Sequence, residues 1–131
     1  MNAYSFPLAW RWTDPKHSVL PASVMARITP ILEQSNRCPI ESSLGAVESI
    51  ATDTTAATVG RWLDNLSVDP ECLVTIQWND FLTIQTTWAI FVEYWESFCY
   101  PSSDDVNIWA EDSNWLLQYH HWEVFEIKRQ F

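Results

Sequence analysis

Residues 86–101, TTWAIFVEYWESFCYP, constrain the fold more than any other part of the chain. Trp88, Phe91, Val92, Trp95, Phe98 and Cys99 recur at three- and four-residue spacing, which places them on one stripe of an α-helix. Glu93 and Glu96 fall off that stripe, where water should be. Thr86 and Thr87 offer side-chain oxygens to the free N–H groups at the helix start. Pro101 cannot continue a helix and biases Tyr100 toward an extended backbone. A helix with so aromatic a face has to be covered, and the rest of the chain must supply the cover.

The second half of the sequence reads as that cover. After Asp69-Pro70 the apolar period changes from helical to alternating. CLVTIQW puts Val74, Ile76 and Trp78 on one side, Asn79-Asp80 is a turn pair, and FLTIQ returns as a second strand. DVNIWA, WLLQYHH and WEVFEIKR alternate in the same way, with Val106, Ile108 and Ala110, then Trp115, Leu117 and Tyr119, then Phe125 and Ile127 sharing sides. The spacing predicts an antiparallel sheet of four to five strands in the second half, packed by the helix near 87–99. The first half reads as helices: 22–28 and 30–35, broken at Pro30 with Thr29 as cap; a short one through Leu44, Val47 and Ile50; and 55–66 behind Asp53 or Thr54. Phe6, Leu8, Trp10 and Trp12 share one parity, so residues 1–20 read as an extended arm or edge strand, with Pro7 confining it to an edge. The expected class is α+β, in a single domain over 1–131.

Charge narrows the partners. Residues 1–40 carry Arg11, Lys16, Arg27 and Arg37 against Asp14 and Glu33, whereas residues 41–127 carry Arg61 alone against fifteen carboxylates, a net −14. Such a field repels nucleic acid and anionic membrane and speeds encounter with a basic protein. The plainer reading is that acidity keeps a chain with nine tryptophans in solution. Most of those rings belong in the core, with one or two left for binding. Cys38, Cys72 and Cys99 are odd in number and contain no CxxC, which suits a reducing compartment better than a disulfide framework. The start, MNAYSFPLAWRW, has no basic segment followed by an apolar one, and no run reaches the roughly 18 apolar residues of a membrane span. The expectation is a cytoplasmic protein, monomer or homodimer.

Chemical motifs are sparse. Gly45 and Gly60 are the two glycines, too few for a phosphate-cradling loop. His120-His121 follow Cys99 and Asp104-Asp105, but adjacent strand positions point to opposite faces, so at most one histidine joins a given site. A Cys–His–Asp set needs the thiol within hydrogen-bond reach of an imidazole, and a metal needs three or four converging ligands. Neither spacing is present, so no catalytic residue, metal or cofactor is assigned. Asp104, Asp105, Glu111 and Asp112 lie at the two ends of one expected strand, bordered by Trp109 and Trp115. Solvated turn acids are the simple reading. An acidic rim around an aromatic anchor is the alternative, and it is what a protein-binding surface needs.

In size, acidity, Trp-rich α+β make-up and lack of catalytic signatures, the chain resembles the small immunity proteins that bacteria pair with secreted or contact-delivered toxins. The runs YWESFCYPSSDDVNIW and WLLQYHHWEVFEIKR look like domain cores of bacterial proteins, and the likeness to immunity proteins covers overall character alone. The resemblance implies a tight inhibitor of one basic toxin, often a nuclease; acidic inhibitors of nucleic-acid-binding enzymes share the same features. The leading expectation is thus a non-enzymatic, acidic module that occludes a basic partner through Asp104, Asp105, Glu111 and Asp112, anchored by Trp109 or Trp115. A second expectation is a small hydrolase or ligand-binding enzyme using His120 or His121 with a nearby carboxylate. A third is a structural subunit whose tryptophans form a homodimer.

Overall fold

The computed structural model describes residues 1–32, 38, 40, 44–111 and 113–130. The elements in chain order are α1 (Trp10–Thr13), α2 (Ala22–Met25), β1 (Thr29–Pro30), β2 (Glu48–Ala51), α3 (Ala56–Asp64), β3 (Leu73–Asn79), β4 (Leu82–Thr87), α4 (Trp88–Glu93), α5 (Trp95–Phe98), β5 (Val106–Ala110), β6 (Trp115–His120) and β7 (Val124–Arg129). The class is mixed helix and antiparallel sheet. The sheet has seven strands in the order β1-β4-β3-β5-β6-β7-β2, more than the four to five expected. The two additional strands come from the first half and form the edges.

Both edges replace expected helix. Glu48–Ala51 pairs with β7, in register Ser49↔Glu126 and Ile50↔Phe125. The strand lies at the rim with only Ile50 partly buried, so it shows no alternation for a sequence reading to detect. At the other edge Pro30 pairs opposite Ile84, a place where a missing N–H costs the ladder nothing. Part of the expected helix 30–35, its residues 33–35, lies outside the described residues.

The aromatic stripe does bury one face as expected: Trp88, Phe91, Val92, Trp95, Phe98 and Cys99 are all at most 9% exposed. It is two short helices, however. Tyr94 leaves helical geometry at φ −118°, ψ 27°, and ends α4 before α5 begins. The Thr87 side chain caps α4 by accepting from the Ile90 N–H at 3.3 Å. The stripe packs on the sheet through ring contacts, Trp88 on Trp115 at 5.6 Å and both Phe91 and Trp95 on Phe125 at 6.2 and 5.7 Å. Opposite it stand Val74, Ile76, Ile84, Val106, Ile108, Leu117, Tyr119 and Ile127, each at most 1% exposed. Each such apolar side chain contributes about 1.5–3 kcal/mol on leaving water. On the other face of the sheet, Trp109 and Leu116 form a smaller cluster with Ile40.

The N-terminal segment is neither arm nor strand. Ala3, Phe6, Ala9 and Trp12 are all buried in the main core, and the chain reaches them through turns. Backbone bonds span three residues, Ala9 N–H to Phe6 O and Trp12 N–H to Ala9 O. Three residues per turn bring every third side chain to the same side. The Trp12 indole N–H donates to Ala3 O at 3.0 Å and closes the segment. Among the described residues, no helix is long and apolar enough to cross a membrane.

Candidate functional site

The loop that leaves α5 is held by a buried ion pair. Arg11 and Asp104 are each about 5% exposed. Their guanidinium and carboxylate meet in a two-bond fork: Nη1 to Oδ2, and Nη2 to Oδ1 at 2.9 Å. Asp104 Oδ2 also accepts from the Tyr100 N–H at 2.9 Å, and the Ser103 hydroxyl donates to Oδ1 at 3.3 Å. The guanidinium lies 4.4 Å from the Tyr100 ring centroid, with Trp10 and Trp78 at 5.2 and 5.9 Å. The Arg11 Nε is buried without a hydrogen-bond partner. Residues 99–104 are thus pinned, and Tyr100 is placed with one cation already against its ring.

Beside this loop opens a cleft of about 640 Å³. One wall is the segment carrying Lys16, His17 and Ser18; another is the α4–α5 corner with Glu93, Tyr94, Trp95 and Glu96; and Glu123 from the β6–β7 turn completes the mouth. Three buried hydroxyl side chains line it: Ser97, Thr52 and Tyr119. Ser97 Oγ is 2.9 Å from Ser18 Oγ. Burial pushes the Tyr119 hydroxyl up to about 12, partly offset by its hydrogen bond with Thr52. Burial and the Asp104 charge drive the Cys99 thiol well above its ordinary value, against the pull of Arg11. Burial likewise raises Tyr100, with Arg11 opposing. These groups are uncharged at neutral pH. A thiol held protonated is a poor nucleophile.

A second cleft of about 600 Å³ lies between α3 and α4, beside Asp64, Arg61 and Gly60. Glu93, Trp95 and Glu96 line both clefts, so the α4–α5 corner is a ridge between them. Glu93 and Glu96 are exposed, and Glu123 is half-buried. Among the described residues none of these three carboxylates joins an ion pair, and neither does Lys16. Half-exposed aromatics flank the larger cleft. Trp10 is 41% exposed and packs on His17 and Tyr100 at 4.7 and 5.6 Å, while Trp122, 58% exposed, precedes Glu123. Glu123 sits in left-handed backbone at φ 66°.

The expected surface of Asp104, Asp105, Glu111, Asp112, Trp109 and Trp115 is not assembled as one exposed patch. Asp104 is buried on Arg11, where the guanidinium, the Tyr100 N–H and the Ser103 hydroxyl together satisfy both carboxylate oxygens. Trp109 and Trp115 are 2% and 7% exposed and belong to opposite faces of the sheet, since their strand parities differ. Asp105 and Glu111 are exposed but stand six residues apart across β5, roughly 20 Å along the strand. Asp112 lies outside the described residues.

Each of the two histidines meets a carboxylate. His120 Nε2 is 3.2 Å from Glu126 Oε2, and His121 Nδ1 is 3.1 Å from Asp105 Oδ1. Both touch Trp122, His120 face to face at 4.4 Å and His121 edge-on at 5.1 Å. Neither lines either cleft; His17 does. Desolvation raises the Asp105 carboxyl, but the hydrogen bonds and charge of His121 outweigh it and hold the group below its ordinary value. No group of three or more potential metal ligands occurs among the described residues. Sequence reading missed the cleft because its walls are drawn from segments as far apart as residues 16 and 123, and the acidic off-stripe positions Glu93 and Glu96 were the one local signal. No protein-family model, no curated protein and no solved structure matches the chain.

Proposed function

We propose that the protein is a non-enzymatic, acidic binding module that occludes a basic protein partner, such as a toxin or a nuclease. The observation that carries this reading is the ridge of Glu93 and Glu96 between two clefts, with Glu123 across the mouth of the larger one and no internal cation pairing any of the three among the described residues. Carboxylates left without counter-ions on a chain of net charge −10 favour a basic surface. Trp10 and Trp122 on either side supply aromatic area of the kind that anchors interfaces. Asp105, held against His121 beside Trp122, extends the acidic surface on the Glu123 side. Glu111, at the far end of β5, falls outside it.

The test is affinity purification of the tagged protein from its own host at low salt. It is run in parallel with a variant carrying Glu93→Lys, Glu96→Lys and Glu123→Lys. The expected result is one stoichiometric basic protein that is released by salt and absent from the reversed variant. A captured protein that binds both forms equally, or whose retention ignores salt, rules out this surface. The same purification with Asp105→Lys should show a smaller loss.

A further inference from the structure

We infer that the larger cleft receives an organic cation: an ammonium or guanidinium on a short aliphatic stem, carried either by a lysine or arginine side chain of the partner or by a free alkylamine. This rests on the binding-module reading and specifies the chemical group that the cleft of that module takes. At about 640 Å³ the cleft is within the usual range for small-molecule sites. Among the described residues its mouth holds Glu93, Glu96 and Glu123 against one lysine, Lys16, which pairs with none of them. An anion would meet those carboxylates. Among the described residues that line the cleft there is no guanidinium to receive it, and Lys16 stands alone against three carboxylates.

The interior favours the same class. Tyr94, Trp95 and Tyr100 bring aromatic rings to the lining, and ring faces attract cations. Tyr100 already has a guanidinium 4.4 Å from its centroid on the protein side. Ser97, Thr52 and Tyr119 place buried hydroxyl oxygens at the cleft, and a hydroxyl keeps acceptor capacity when it also donates. An alkyl stem against the rings and a charged head among hydroxyls and carboxylates satisfies both surfaces.

The experiment titrates the full chain with agmatine at low ionic strength, following backbone amide shifts by NMR. Valeramide serves as a neutral probe of similar length and glutarate as an anion. Saturable shifts around His17–Val19 and Tyr94–Tyr100 are expected for agmatine, with affinity at least about tenfold above that for valeramide. Glu93→Gln with Glu96→Gln, and separately Glu123→Gln, should each weaken it by about tenfold. The spectra of these near-isosteric variants report directly whether the fold is intact. Shifts that scatter over the acidic surface without saturating, or affinity unchanged in the variants, overturn the inference. So does valeramide binding as well as agmatine. Competition then separates the sources: if agmatine displaces the captured partner, the cation is a partner side chain, and if it binds without displacing, the ligand is a free amine. Loss of partner capture in the lysine-reversed variant with no agmatine binding removes the cation cleft and leaves the binding module standing.

Discussion

At the scale of single residues the molecule depends on one buried charge pair. Breaking such a pair by removing one partner strands the other, at a cost of roughly 3–5 kcal/mol. Asp104→Asn should therefore destabilise by that amount in urea unfolding, and Arg11→Met comparably. The double variant should cost clearly less than the sum, because the two side chains share one interaction. Additive losses would show that the pair is not coupled. Two titrations also belong here. The Asp105 carboxyl should titrate below the ordinary aspartate value, and His121→Ala should move it back up, as read by carboxyl NMR. A carboxylate lowered by folding adds stability above its unfolded value and loses it as the pH drops below about 4. The acid limb of stability should therefore flatten in His121→Ala. Tyr119 has the opposite sign: its folded value near 12 lies above the unfolded value, so its contribution is complete below pH 10 and disappears between about 10 and 12. Tyr119→Phe should remove that part of the alkaline limb.

At the scale of elements, caps and periods decide what a sequence reveals. Thr87 and Thr55 both cap helices through a side-chain oxygen, on Ile90 N–H at 3.3 Å and Thr58 N–H at 3.2 Å. The first of these bonds is buried and the second exposed. Loss of a cap costs about 1 kcal/mol, and an N–H orphaned away from water costs more. Thr87→Ala should thus lower unfolding free energy more than Thr55→Ala; equal effects would mean water reaches Ile90. The helical stripe from Trp88 to Cys99 and the strands over 73–87 and 106–129 were legible because one face of each is buried, which stamps a period on the residues. The edge strand Glu48–Ala51 has no such face and left no period. The N-terminal segment did carry one, in Ala3, Phe6, Ala9 and Trp12, but the parity of Phe6, Leu8, Trp10 and Trp12 masked it. The break at Tyr94, which shapes the ridge between the clefts, has no proline or glycine to announce it.

At the scale of the whole molecule, the charge distribution was readable and its arrangement was not. Composition alone left a basic partner and simple solubility side by side, and the carboxylates expected to meet such a partner are divided between core and surface. Asp104 is committed to a residue 93 positions away in the chain, a distance over which local pattern says nothing. The chain also carries little to offset its charge, with seven lysines and arginines against seventeen carboxylates. Of the pairs between carboxylates and arginine, Arg11–Asp104 is buried and Arg27–Glu71 exposed. Salt at physiological strength screens beyond about 8 Å and should relieve more repulsion than attraction here. The melting temperature should therefore rise from low to moderate sodium chloride while partner capture weakens. A melting temperature that falls with salt would mean that unseen attractions dominate.

The hairpin tip at Glu123 adds a point about frustration. A residue with a β-carbon held in left-handed geometry costs on the order of 1–2 kcal/mol, and glycine is the usual remedy. The chain has two glycines and neither adopts positive φ, yet the tip of the β6–β7 hairpin keeps a glutamate at φ 66°. On the cation-cleft reading, Glu123→Gly should unfold at the same temperature or higher and bind agmatine about tenfold more weakly. Ser67 and Ser102 hold the same geometry at φ 62° and 70° and line neither cleft, so it is the glutamate side chain, and not the backbone, that sets Glu123 apart.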